Sequence, residues 1–133
     1  MPDAAPQSES TTSFELLASG VQKQLYRMGW TSLRPIQASA IRTVLQTTSD
    51  ILITAETAGG KTEAAFLPLL SAISREPTGS VRVLYVGPLK ALINDQFTRL
   101  EDLCTHLEVP VHRWHGDVSD AKKKALVQDP SGV

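Results

Sequence analysis

Ile51-Leu52-Ile53-Thr54-Ala55-Glu56-Thr57-Ala58-Gly59-Gly60-Lys61-Thr62 decides how the rest of the chain is read. The brief apolar run after Asp50 suits a buried parallel strand. The small residues Ala58, Gly59 and Gly60 let backbone approach a ligand closely. The residues after Thr62 carry a helical pattern to about Ser74, and the start of such a helix offers unpaired N–H groups and the positive end of its dipole to an anion. Lys61 adds a full charge aimed at β and γ phosphates, and Thr62 a hydroxyl for Mg²⁺. The pattern G-x-x-x-x-G-K-[ST] is kept from Gly60 onward, with Ala55 in the first glycine position. The competing reading is a glycine-containing turn that caps a helix. The strand before, the helix after and the intact Gly60-Lys61-Thr62 favour a phosphate loop, and so nucleotide binding.

On the N-terminal side, Thr12 and Glu15 form a T-x-x-E capping box. Leu17, Val21, Leu25 and Met28 recur at helical spacing until Gly29 ends the element. Pro35 suits the first turn of a second helix, with Ile36, Ala40, Ile41, Val44 and Leu45 as its apolar face. Residues 1–12 offer nothing to bury and read as a disordered leader. On the C-terminal side, Pro77 to Ser80 read as a loop and Val81 to Val86 as a second strand, broken by Gly87-Pro88. A long helix follows, striped by Leu89, Leu92, Ile93, Phe97, Leu100, Leu103, Cys104 and Leu107, with the first three read as core. Val109 to Trp114 is a third candidate strand, Ser119 to Val127 a last helix, and Asp129 to Gly132 a turn. The alternation predicts an α/β fold with a parallel sheet flanked by helices.

The composition narrows the function. A net charge of −1, from 13 basic and 14 acidic residues, excludes a wholly basic nucleic-acid binder, so any such contact is local. One cysteine, Cys104, excludes an intrachain disulfide and fits a reducing compartment. Neither a signal peptide nor an apolar run of about 18–20 residues is visible, so the expected location is cytoplasmic, with no membrane partner. His112, His115, Cys104 and His106 match no standard zinc spacing. Lys122 to Lys124 read as a solvated helix face.

Ala55-x-Thr57-x-x-Gly60-Lys61-Thr62 resembles the phosphate loop of superfamily-2 (DEAD/DEAH-box-type) helicases. Three further segments follow the family's order. Gly29-Trp30-Thr31-Ser32-Leu33-Arg34-Pro35-Ile36-Gln37 resembles the Q-motif, Gly87 to Gln96 resembles motif Ia in its P-L-K-A-L form, and His115-Gly116-Asp117 resembles the Gly-Asp segment of the Lhr-like group. Arg34, where DEAD-box proteins carry Ser or Thr, is closer to RecQ and Lhr-like versions. The resemblance implies a P-loop NTPase with a partial RecA-like sheet spanning 13–133 and ending before the Walker B acids. It assigns ATP with Mg²⁺ to Gln37, Ala55, Glu56, Thr57, Ala58, Gly59, Gly60, Lys61 and Thr62, with Lys61 and Thr62 catalytic and Thr62 on the metal. Gln37 carries the acceptor and donors that the N6 and N7 edge of adenine needs. Pro88, Leu89, Lys90, His115, Gly116 and Asp117 fall to a tracking strand of DNA or RNA. For His115-Gly116-Asp117, an ordinary turn between strand and helix is the equal alternative.

The adjacent acids Glu101-Asp102 lie inside the long helix and do not serve as a strand-end Asp-Glu pair. The expected protein is therefore the ATP-binding and nucleic-acid-contacting part of a larger helicase or translocase, inactive without the remainder of that chain. A P-loop nucleotide-metabolising enzyme leaves the Q-like and P-L-K-A-L segments unexplained. A non-catalytic P-loop adaptor stays open.

Overall fold

The computed structural model describes residues 12–76 and 78–133. The leader expected at 1–12 lies outside them, apart from Thr12. Six helices are present among the described residues. Helical residues 12–16 (α1) precede α2 (Ser19–Arg27), α3 (Pro35–Gln46), α4 (Lys61–Arg75), α5 (Lys90–Cys104) and α6 (Asp120–Gln128). The chain divides into two compact units, one ending at Arg75 and the other starting at Glu76.

In the first unit α4 packs along α3 and touches α2. Val21 and Leu25 of α2, Ile41 of α3, and Leu67 and Leu70 of α4 are fully buried. Each such side chain contributes about 1.5–3 kcal/mol of burial. The single N-terminal helix expected from Thr12 to Met28 is instead two, parted at Leu17-Ala18, where the Ala18 N–H donates to Oγ of the buried Ser71. At the far end Gly29 takes φ +78, and Trp30 N–H reaches back to the Leu25 carbonyl at 3.0 Å. That left-handed exit is the glycine stop the sequence implies.

The second unit buries Leu100, Leu103 and Cys104 of α5 together with Val83. Leu89 and Leu92, expected in the core, are exposed. Ser119 caps α6, its Oγ accepting from the Lys122 N–H at 3.4 Å.

The parallel sheet expected from 51–55, 81–86 and 109–114 is not formed. Helix accounts for 54% of the described residues and strand for 2%, and they form no sheet. Among the described residues the one β-bridge is isolated and parallel, Val81 to Gly132, and separate hydrogen bonds join the 110–112 segment to Val133. The Gly132 carbonyl accepts from the Arg82 N–H at 2.9 Å, and His112 N–H donates to Val133 at 2.8 Å. A strand exists only through a neighbour along its edge. Residues 51–55 have no such neighbour among the described residues, and Leu52 is 88% exposed. Pro110 lacks the N–H a ladder needs. Gly132 is essential to the small crossing that does form: at φ +67, a Cβ there would lie 1.9 Å from the Pro110 carbonyl oxygen.

Candidate functional site

In the first unit the loop 55–60 is held by the side chains that the sequence singles out and by one that it gives no role. Gln37 sits in the first turn of α3, 2% exposed. Its Oε1 accepts from the Arg34 N–H at 2.9 Å, one half of a capping box. Its Nε2 donates to the Gly60 carbonyl at 3.4 Å, so one amide ties the start of α3 to the loop. Arg34 adds a second tie, Nη1 donating to the Ala58 carbonyl. The resemblance used Arg34 only to sort relatives; its place before Pro35-Ile36-Gln37 was the available signal.

The loop's backbone is unusual where close approach requires it. Ala58 and Gly60 have φ +62 and +81. A Cβ on Gly60 would lie 2.6 Å from Gln37 Nε2. Gly59 N–H closes a turn onto the Glu56 carbonyl at 3.0 Å. Helix α4 then starts at Lys61, its first long bond running from Ala64 N–H to the Gly60 carbonyl. The N–H groups of Lys61 and Thr62 precede that bond and so have no partner within the helix. Lys61 folds back, Nζ donating to the carbonyls of Ala55 at 2.6 Å and Glu56 at 2.9 Å.

This donor set fits a phosphate chain. An ammonium resting on neutral carbonyls exchanges them for charged oxygens with a gain, because charge-assisted bonds are the stronger. The first-turn N–H groups of a 15-residue helix lie beside it. Glu56, Thr57 and Ala58 are exposed and the residues from Gly59 to Thr62 half-buried, so the loop is reachable.

The second unit brings together the other set. Lys90 opens α5 and donates to Asp117 Oδ1 at 3.0 Å. The Asp117 N–H donates to His115 Nδ1 at 3.2 Å. His115 Nε2 lies 3.0 Å from Asn94 Oδ1, which also accepts from Arg113 Nη1 at 3.1 Å. With Nδ1 accepting, the neutral Nε2–H tautomer satisfies both bonds. The Arg113 guanidinium stacks 4.4 Å over Phe97. Pro88 and Leu89 lead into the same helix start, and Gly116 is exposed beside Lys90. The hydrogen bond from Lys90, then its charge, hold the Asp117 carboxyl below its ordinary range. Asn94 lies inside the P-L-K-A-L-I-N-D-Q stretch, yet sequence reading gave it no role.

The family model described as DEAD/DEAH box helicase matches residues 34–133. The chain is 28% identical over 113 residues to the ATP-dependent RNA helicase DBP6 of Vanderwaltozyma polyspora, covering 72% of this chain and 18% of that protein. It is 33% identical over 91 residues to activating signal cointegrator 1 complex subunit 3 of Danio rerio, covering 68% of this chain and 6% of that one. Among solved structures it resembles the DUF1998 helicase MrfA bound to DNA and AMPPNP, with TM-score 0.76 and 28% identity over 89% of this chain and 16% of that one. The chain thus spans less than a fifth of the length of each.

Proposed function

The chain belongs to the DEAD/DEAH box helicase family, and from that premise we propose that it is the ATP-binding and strand-contacting portion of a larger ATP-dependent helicase or translocase. The observation that carries this is Lys61 at the start of α4, in a loop that Gln37 and Arg34 tie to α3. Gln37, Gly59, Gly60, Lys61 and Thr62 would hold Mg-ATP, whose phosphoanhydride supplies the free energy for movement. Lys61 binds the phosphates, the first turn of α4 orients them, and Gln37 links adenine recognition to the loop's conformation. Pro88, Leu89, Lys90 and the 115–117 segment would meet phosphates of a single strand of DNA or RNA. Arg34 and the P-L-K-A-L form favour the Lhr-like group within the superfamily, and the cytoplasm is the proposed compartment.

Binding of Mg-ATP and Mg-GTP to the chain, followed by calorimetry, tests the reading. The wild type should prefer ATP, and Lys61→Ala should weaken ATP at least about tenfold (about 1.4 kcal/mol). Equal affinity of wild type and Lys61→Ala would remove Lys61 from the nucleotide site. In the longer protein, Lys61→Ala should abolish nucleic-acid-stimulated ATP hydrolysis while leaving the fold intact.

A further inference from the structure

Asp117 is an acid inside the cluster otherwise suited to phosphate. A free carboxylate there would repel a nucleic-acid backbone, and its neutralising partner is Lys90, the cation best placed to greet that backbone. Neither group arrives there by accident of a floppy surface. Asp117 follows Gly116 in a turn that its own N–H fixes on His115 Nδ1. His115 is anchored on Asn94, and Asn94 is anchored to Arg113. Asn94 lies one helical turn after Lys90 on α5, so the network holds the carboxylate against the helix start that carries the ammonium. The pair is nevertheless solvated, with side chains 56% and 71% exposed. A solvated pair is weak enough to be exchanged for another anion.

We propose that Asp117 is an internal competitor for Lys90: a strand phosphate engages Lys90 only by displacing the Asp117 carboxylate, which lowers strand affinity and makes release easier. Asn94 and His115 are the positioning residues that keep the competitor in place. The inference rests on the strand-contact reading above, and it assigns Asp117 the opposite role to that of a strand-binding residue. Because one carboxylate is traded for one phosphate, a lone phosphate gains little at this site, whereas a strand that brings further contacts gains net affinity.

A double-mutant cycle on the whole chain tests it, using fluorescence anisotropy with a labelled single-stranded oligonucleotide at low salt. Asp117→Asn should tighten binding about twofold to fivefold, the range an exposed ion pair supports. The gain should vanish in the Lys90→Ala background, and Lys90→Ala should cost more affinity with Asn at position 117 than with Asp. An equal gain in both backgrounds would mark a general charge effect and overturn the proposal, as would a loss or no change in Asp117→Asn. Absence of strand binding by the wild type would instead overturn the strand-contact reading on which the proposal rests. A readout free of nucleic acid separates the two. The Asp117 carboxyl, followed by NMR, should titrate at higher pH in Lys90→Ala and in Asn94→Ala than in the wild type; unchanged titration in both would show that the competitor is not held by this network.

Discussion

At Gly60 two constraints meet. Its φ of +81 lies in the left-handed region, and its missing Cβ would fall 2.6 Å from Gln37 Nε2. Gly60→Ala should therefore cost at least about 1–2 kcal/mol from the backbone alone, with nucleotide affinity lost as Gln37 is pushed off the Gly60 carbonyl. Urea unfolding and Mg-ATP calorimetry together check this; a stability loss under about 0.5 kcal/mol would mean that the loop relaxes freely. Ala58, at φ +62, provides the contrast. Ala58→Gly relieves strain while loosening the unfolded chain, and is expected to change stability by less than about 0.5 kcal/mol, against about 1 kcal/mol lost by Ala65→Gly within α4. Asp117 has a pH signature. Its folded carboxyl is lowered, first by the hydrogen bond from Lys90 and then by the charge. A lowered carboxyl contributes fully above its unfolded pKa, and the contribution is lost as pH falls through the folded value. The Lys90–Asp117 pair is thus complete at neutral pH and opens only in acid, with little effect on global stability because both side chains are exposed. A carboxyl titrating in the ordinary aspartate range would show the pair absent in solution.

The helices were legible in the sequence because their signals are local. Pro35 opens α3 and Ser119 caps α6 where the pattern puts them, and Lys61 opens α4 two residues before the pattern does. The extended segments were not legible. A short apolar run bounded by turn residues reads the same whether or not a neighbouring strand exists, and pairing is a property of the partner. Hence Ile51-Leu52-Ile53 and Val81 to Val86 look like interior strands, yet Leu52 and Leu84 are 88% and 82% exposed. The stripe on α5 has a similar lesson: periodicity marked Leu89 and Leu92 alongside Leu100 and Leu103, but only the last two meet a core. The joint at Ala18 was invisible for another reason, since its support comes from Ser71, distant in sequence. Ser71 is fully buried. Ser71→Ala leaves the Ala18 N–H without its acceptor, and should destabilise the chain by about 1–3 kcal/mol. A thermal melt unchanged from the wild type would show that α1 and α2 do not depend on this bond.

Across the whole molecule the two units differ in what they bury. The unit ending at Arg75 closes Val21, Leu25, Ile41, Leu67 and Leu70 completely, whereas among the described residues from Glu76 onward the core is Val83, Leu100, Leu103 and Cys104. Leu84, Val86, Leu89 and Val127 of that second unit face solvent. Since apolar burial is the main favourable contribution to folding, the second unit should open at lower denaturant than the first. Cys104 reports on it directly. Burial pushes the Cys104 thiol up to about 12, against about 8.5 for an unperturbed cysteine. At pH 8 the folded thiol is almost wholly protonated and shielded, so a thiol reagent reacts only as the second unit opens. Labelling of Cys104 should accelerate at urea concentrations that still leave the amides of Ile41 and Leu67 protected from hydrogen exchange. If labelling and exchange instead rise together across one transition, the chain unfolds as a single cooperative body and the smaller core is no weak point.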